Sequence, residues 1–379
     1  MRITVVMGFF LPMPPAAGGA TEKSWHALAL ELARRGHNVT VISRQWPGWP
    51  DQETREGVHY LRLPGFDHTR RLVKNLWLDF RWSLRVWRRL PHADVTVVNC
   101  VALPVWLGWL RGPAGQLVVM PGRMPKGQYR LYRRLDRVIA VSSPVRAAVL
   151  AENSRLASLT KVFGYPIRWS DLAQPRPAPA PGTPVTIGYI GRIHREKGLD
   201  LLVAALARLA KQPGLPAWRV VLCGPTDVSY GGSGPGYAQE LQRSLAQALP
   251  MGTYELRPAE FSAERLAAVY RSLDVFCYPS LSTQGETFGV AVIEAMAAGA
   301  VPVVSGLPCF RDYIRAGENG ERFDHTAADA PERLAAAIAG LVSDPARRVC
   351  LARAARHDAE HYDFTVYADR LLADFSTLK

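Results

Sequence analysis

VTIGYIGRIHREKGLD, residues 185–200, decides the fold. Its opening run, VTIGYIG at 185–191, is apolar and β-branched and reads as a buried strand. Gly191 ends the strand, and Gly198 opens a helix that starts at about Leu199. Arg192 and Lys197 flank the tight loop between them. Strand, glycine-bounded loop and helix make one βα unit, and the unit recurs in both directions. Downstream lie WRVVLCG (218–224), YEL (254–256), DVFCY (274–278) and VPVVS (301–305), with helical segments between and a helical tail from about residue 331. Upstream lie ITVVMGFF (3–10), a helix over Thr21–Arg35 stopped by Gly36, then NVTVIS (38–43), VHYLRL (58–63), VTVV (95–98), QLVVM (116–120) and RVIAV (137–141). Between the two series QPRPAPAPGTP, 174–184, is rich in Pro and Ala and has no periodicity; it reads as a linker.

The class is therefore α/β, with two Rossmann-like domains whose parallel sheets are expected to face each other across a cleft. The expected bounds are 1–172, a linker at 173–184, a second domain at 185–360, and a C-terminal helix at 361–379 that returns to the first domain. At 379 residues the chain is long enough for two cores of this kind. With 48% hydrophobic and 21% charged residues it is not a disordered chain. The five cysteines, Cys100, Cys223, Cys277, Cys309 and Cys350, are odd in number, scattered and without a CxxC pair. A zinc knuckle, a redox motif and a disulfide framework are disfavoured, and a reducing cytoplasm is expected. MRITVVMGFF at the start resembles a weak signal peptide, but Pro12, Pro14 and Pro15 follow at once, so a first strand is the better reading. The longest uncharged apolar stretch, Val95–Leu110, contains Asn99 and Pro104 and is too short to span a bilayer.

Loops just after parallel strands carry ligands in such folds, and three of them hold unusual residues. The first is GETFGVAVIEAMAAG, 285–299. Backbone amides of Thr287, Phe288, Gly289 and Val290 would open a helix and attract an anion. Glu286 sits in the loop before it, where a carboxylate suits sugar hydroxyls, and Glu294 could reach a ribose. The plainer alternative is a helix with an acidic start and one solvated glutamate. However, Glu294 lies among Val292, Ile293, Ala295 and Met296, and a carboxylate there needs a partner. The second is GRIHREKG, where Arg192 and Lys197 could clamp a diphosphate from two sides; a solvated basic loop is the rival. The third is PPAAGGATEK, 14–23, where Gly18 and Gly19 would let a backbone approach a ligand; a flexible turn is the rival. Neither GxGxxG nor a Walker lysine motif is present.

These segments resemble retaining glycosyltransferase family 4, of the GT-B fold, over nearly the whole chain. Gly18-Gly19 resembles the family's N-terminal diglycine loop, ARRGHNVTVIS (33–43) its RGHEVTV segment, and LDRVIAVS (135–142) the strand closing its N-domain. GRIHREKG resembles its GR…EKG donor-phosphate loop. Glu286 and Glu294 match its E-x7-E pair, and EAMAAGAVPVV (294–304) and ENGERF (318–323) complete the pattern.

The resemblance implies a nucleoside diphosphate sugar donor, with Arg192 and Lys197 on the phosphates and charge on the leaving group as the thing they stabilise. It implies Glu286 on the donor sugar, Glu294 on the ribose, the Thr287–Val290 amides on diphosphate and sugar, and Gly191, Gly224 and Arg257–Phe261 around the nucleotide. No metal or other cofactor is implied. Transfer with retention to a glycan, a lipid-linked acceptor or another glycoconjugate follows, in cell-surface polysaccharide or glycolipid synthesis. The rivals are a nucleotide-sugar epimerase of the same fold and a non-catalytic membrane- or carbohydrate-binding protein. The pattern departs from the family at VVMPGRMPKGQ (118–128), where a histidine of the N-domain is replaced by Pro121, Gly122 and Arg123; Arg123 and Lys126 are candidates for an anionic acceptor or sugar.

The formal charge is +13. Residues 69–90 hold seven arginines and lysines against one aspartate, and residues 121–137 hold six against one, so these two segments supply +11 of it. Trp77, Phe80, Trp82 and Trp87 are interleaved with the first group. A basic, aromatic amphipathic helix suits an anionic membrane surface, although the same tryptophans could pack inward under solvated arginines. Nucleic acid is a weak third reading. The expected place is the cytoplasm, with contact to the inner face of the membrane.

Overall fold

The computed structural model describes residues 1–16, 19–69, 71–175, 180 and 182–378. The chain divides into two compact units, Met1–Pro166 with Phe364–Lys379, and Ile167–Asp363.

The first unit contains β1 (Arg2–Val6), α1 (Ala20–Arg34), β2 (Asn38–Arg44), β3 (Gln52–Arg55), β4 (Val58–Leu63), α2 (Leu72–Trp87), β5 (Val95–Val98), α3 (Leu103–Trp109), β6 (Gln116–Val119), β7 (Arg137–Ala140), α4 (Ser143–Glu152) and β8 (Thr160–Val162). One sheet runs in the order β3-β4-β2-β1-β5-β6-β7-β8. Every pairing is parallel except β3 with β4. The strands β1, β5 and β7 are almost wholly buried, as expected where helices cover a parallel sheet. α1 turns Trp25, Leu28 and Leu32 inward, at three- and four-residue steps.

The second unit contains α5 (Trp169–Leu172), β9 (Val185–Ile190), α6 (Leu199–Leu209), β10 (Trp218–Cys223), α7 (Pro235–Ala248), β11 (Tyr254–Arg257), α8 (Ala263–Arg271), β12 (Val275–Tyr278), α9 (Val290–Ala297), β13 (Val301–Ser305), β14 (Glu321–Phe323), α10 (Ala330–Ser343) and α11 (Pro345–Glu360). Its sheet is fully parallel in the order β11-β10-β9-β12-β13-β14. Counted along the chain that is 3-2-1-4-5-6, the doubly wound order with its switch point between β9 and β12. α6 buries Leu199, Leu202, Val203, Leu206 and Leu209 on one stripe, each such side chain contributing about 1.5–3 kcal/mol.

The last helix, α12 (Phe364–Ser376), belongs with the first unit. Asp374 accepts from Arg137 Nε at 2.8 Å in a buried pair and also meets Lys161. Arg35 donates to the Thr365 carbonyl at 2.8 Å. The first unit ends at Pro166, earlier than residue 172, because α5 packs on α8 and α9 and the Trp169 amide donates to Asp363 Oδ1 at 3.1 Å. The strands β3, β8 and β14 are not expected from the sequence; QETR, TKV and ERF are mostly polar and hold no apolar run.

Candidate functional site

The crevice at the switch point of the second unit is built by the loops after β9 and β12. They are tied together where the Leu281 amide donates to the Glu196 carbonyl at 2.8 Å. At its floor Lys197 Nζ donates to Glu286 Oε2 at 2.6 Å, with side-chain exposures of only 6% and 8%. Lys197 also lies over the Tyr278 ring, 5.3 Å from its centroid, and the Tyr278 hydroxyl hydrogen-bonds to Glu286. Two charges that sequence places 89 residues apart are thus one buried pair. Each would be costly to desolvate alone.

Arg192 stands on the same loop, half exposed. Its guanidinium donates to the Gly231 carbonyl at 3.0 Å and to Glu196 Oε1 at 2.6 Å. His194 caps the next turn, its Nδ1 accepting from the Glu196 amide. Glu294, on α9, accepts from the Tyr270 hydroxyl at 2.7 Å. This is the partner that its apolar neighbours require; burial and the adjacent carboxylate push the Tyr270 phenol well up.

Two glycines shape the crevice. Gly289 precedes α9 at φ +80°, and a Cβ there would stand 2.6 Å from Phe310 Cε1. Gly198 precedes α6 at φ +68° and is pressed against the Pro279 carbonyl. Both positions favour glycine on conformation and on space. Because α9 begins at Val290, only the amides from that residue onward belong to its first turn. Thr287 and Phe288 lie in the preceding turn, and Phe288 is buried against Tyr313 and Tyr362. Gly191, Gly224 and Arg257 meet at the ends of β9, β10 and β11. The Gly191 amide donates to the Cys223 carbonyl at 3.0 Å, and the Gly224 amide to the Arg257 carbonyl at 3.3 Å. The Arg257 guanidinium rests on Glu255 at 2.7 Å.

The first unit has its own switch point between β1 and β5, and there a cavity of about 420 Å³ opens. Gly19, Thr21, Glu22, Asn99, Arg123 and Tyr165 line part of it. Glu22 is buried, with its carboxylate against the Gly19 backbone. Burial raises its pKa, and a hydrogen bond to its own backbone and the charge of Arg123 pull it back. Thr21 and Tyr165 are hydrogen-bonded to each other, and Asn99 Oδ1 accepts from Trp25 Nε1 at 3.0 Å. Gly19 therefore lines the cavity of the first unit, whereas the other donor candidates cluster in the second. Gly18 lies outside the described residues. Arg123 is exposed and lines the cavity; Lys126 does not line it.

The charge reading also needs correction. Trp82 is wholly buried, with Nε1 donating to the Met7 carbonyl at 3.0 Å, so it belongs to the core. Arg137 is buried on Asp374 and adds nothing to a surface patch.

Sequence reasoning missed Glu22, Tyr165, Tyr270 and Ser280. Glu22 could have been found, because it stands three residues before Trp25 on the apolar face of α1. Ser280 Oγ is fully buried and has no hydrogen-bond partner among the described residues. It stands two residues after β12, in the crevice loop.

Comparison with known proteins agrees with this layout. The family model described as "Glycosyl transferases group 1" matches residues 171–358, and that of "Glycosyltransferase Family 4" matches residues 17–155. The chain is a family 4-like glycosyltransferase of the GT-B type. It is 31% identical over 217 residues to a D-inositol 3-phosphate glycosyltransferase of Rhodococcus opacus, covering 54% of this chain and 46% of that protein. It is 28% identical over 194 residues to a phosphatidyl-myo-inositol mannosyltransferase of Mycolicibacterium smegmatis, covering 51% and 45%. This glycosyltransferase thus spans less than half the length of those curated relatives. Among solved structures, a sucrose-phosphate synthase from Thermosynechococcus elongatus superposes with a TM-score of 0.76 at 20% identity, over 100% of this chain and 98% of that one. That likeness shows the fold. Among the described residues, no helix of the glycosyltransferase is long and apolar enough to cross a membrane.

Proposed function

We propose that this glycosyltransferase takes a sugar from a nucleoside diphosphate sugar held in the second unit and passes it, with retention, to an anionic acceptor, either a sugar or polyol phosphate or a lipid-linked glycoconjugate. The observation that carries the reading is the buried Lys197–Glu286 pair at the switch point, beside an unpartnered Ser280 hydroxyl and the first turn of α9. On donor binding Lys197 turns from Glu286 to a phosphate oxygen, and Glu286 becomes an acceptor for sugar hydroxyls. Arg192 and the α9 amides hold the remaining diphosphate charge, and Glu294, braced by Tyr270, takes the ribose. As the bond from sugar to diphosphate breaks, negative charge grows on the phosphate that these cations and amides face. Protein cations and amides supply the electrophilic stabilisation, so the reading requires no metal.

The acceptor is assigned to the cavity of the first unit, where Arg123 suits a phosphate and Glu22, Thr21 and Tyr165 suit hydroxyls. The names of the inositol phosphate and phosphatidylinositol relatives support an acceptor of that class. Residues 69–90 are read as a face for an anionic membrane surface, where a product such as a glycolipid would be built.

The test is thermal stabilisation of the purified chain by a panel of nucleoside diphosphates and their sugars. A ligand at about 100 times its Kd adds about 2.7 kcal/mol. Stabilisation by one nucleotide, lost in Arg192→Ala, supports the donor site and names the base. No stabilisation by any of them rejects it. Product anomers from the selected donor, read by NMR, decide retention.

A further inference from the structure

The exposed side of α2 carries two adjacent stripes. Val73, Leu76, Trp77, Phe80, Leu84 and Trp87 recur at three- and four-residue steps and form an apolar one, exposed at Val73 (80%), Leu76 and Trp77 (58%) and half-buried from Phe80 to Trp87, which packs on the core. Lys74, Arg81, Arg85 and Arg88 form a basic one beside it. The only acid on α2 is Asp79, and it is buried, accepting the Val101 and Ala102 amides at 3.1 and 2.6 Å. The apolar stripe continues beyond α2. Trp87 Nε1 donates to the Leu110 carbonyl at 3.4 Å, and both Leu110 and its neighbour Trp109 are exposed. Arg133 covers the Trp109 ring at 4.5 Å.

Beside the end of this helix is a second cavity, of about 390 Å³, lined by Gln45, Asp51, Arg62, Arg85, Arg88 and Arg89 among others. Arg62 is buried and already paired with Glu53. Asp51 is held by Gln45 Nε2 at 2.6 Å, and Arg85 reaches the Pro64 carbonyl and the Phe66 ring. Arg88 and Arg89 have no ion pair among the described residues. Two guanidiniums without counter-ions, at the mouth of a pocket whose other arginines are held by Glu53 and the Pro64 carbonyl, and next to an apolar stripe, match a phosphate that is attached to hydrocarbon.

We propose that this cavity binds the phosphate of an anionic phospholipid headgroup while Val73, Leu76, Trp77 and Trp109 enter the bilayer beside it. The inference rests on reading residues 69–90 as a membrane face, and it is independent of the donor chemistry. A bilayer fits better than a second copy of the chain, because self-association through this face would set cation against cation.

The experiment is flotation of the full chain with vesicles of phosphatidylcholine alone and of phosphatidylcholine with about one-third phosphatidylglycerol. The expected result is strong binding to the anionic vesicles only. Arg88→Ala/Arg89→Ala should weaken it by clearly more than the about 30-fold that two cations lose through diffuse attraction alone, at about 1 kcal/mol for each cation near an anionic surface. Lys74→Ala/Arg81→Ala removes two cations from the same basic stripe but outside the cavity, and should cost no more than that about 30-fold. Equal losses in the two double variants would reduce the patch to diffuse charge and overturn the headgroup site. Absence of vesicle binding, equal binding to neutral vesicles, or a concentration-dependent dimer in its place would overturn the proposal altogether. Nucleoside diphosphate binding and Tm, measured on the same variants, should not change. Failure of vesicle binding with nucleotide binding intact would sink this inference and leave the donor reading standing; the converse would do the opposite.

Discussion

Both units wind their parallel strands outward from a first strand, and both open a crevice where the order reverses. They fill it in opposite ways. In the second unit a buried glutamate, Glu286, has a buried lysine at 2.6 Å. In the first, Glu22 is buried beside hydroxyls, with Arg123 exposed at the rim, and its proton is held more tightly than a free glutamate's. One crevice stores two opposite charges that a ligand can part. The other stores a carboxyl that burial makes costlier to ionise. The first arrangement suits a polyanion, which takes the lysine and releases the glutamate. The second suits hydroxyls beside a single phosphate.

The largest expected effect separates stability from binding at the charge pair. Glu286→Gln leaves Lys197 charged and unpaired in the core, and should cost about 3–5 kcal/mol in urea unfolding. It should also lower sugar transfer by about 10²-fold or more. The double variant Lys197→Met/Glu286→Leu should regain most of the stability and none of the nucleotide affinity. Parent-like affinity in that double variant would mean the pair is only a structural element.

Next is Asp79, which fastens the loop lining the first crevice. Burial lifts its pKa to about 6 against an ordinary 3.8, while the Ala102 and Val101 amides pull it down. Cys100 and Tyr132 lie close enough to feel its charge. Between pH 4 and 6 the native state therefore holds a proton that the unfolded chain has released. Stability falls as pH rises through that window, by up to about 3 kcal/mol at 1.36 per pH unit. Asp79→Asn keeps an acceptor for both amides and removes the titration. Its Tm should exceed the parent's above pH 6, and the gap should close towards pH 4. A variant less stable than the parent at pH 8 would show that the charged form is the favoured one.

Tyr270→Phe should cost about 2 kcal/mol, the range for a hydrogen bond to a charged group. It should weaken nucleotide binding through Glu294 without altering the first unit, which calorimetry with a nucleoside diphosphate would read. Unchanged affinity would leave Glu294 outside the ribose site.

The smallest effect sharpens the contrast most. Glu22→Gln should stabilise the chain slightly at neutral pH, opposite in sign to Glu286→Gln. Because the native pKa is raised, Glu22 contributes stability at low pH that is lost as pH rises through that raised value. Arg123→Gln should enlarge the benefit of Glu22→Gln, since it removes the charge that favours the ionised form. Two glutamines that both destabilise would erase the difference between the crevices.

Much of this was legible in advance. The strand and helix alternation placed nearly every long element, and GRIHREKG and GETFGVAVIEAMAAG named the two loops that meet in the second crevice. The short strands β3, β8 and β14 were invisible because QETR, TKV and ERF are mostly polar and lack the apolar run that marks β5, β7 and β12, which are just as short. Trp82 and Arg137 looked like surface residues because composition counts side chains without asking which way they face. The crevice of the first unit was the least legible part. Its glutamate breaks no motif, and its tyrosine comes from a loop more than 100 residues away.

Sequence by itself determined the class, the glycine-bounded loops and the helix starts, because hydrophobic period and turn chemistry are local properties of the chain. Tertiary structure alone decided strand order, and with it which loops touch. It joined Lys197 to Glu286 and Arg137 to Asp374, turned Trp82 inward and left Trp77 outside. A charge is an asset or a cost according to its partner and its distance from water, and both are set only when distant segments pack.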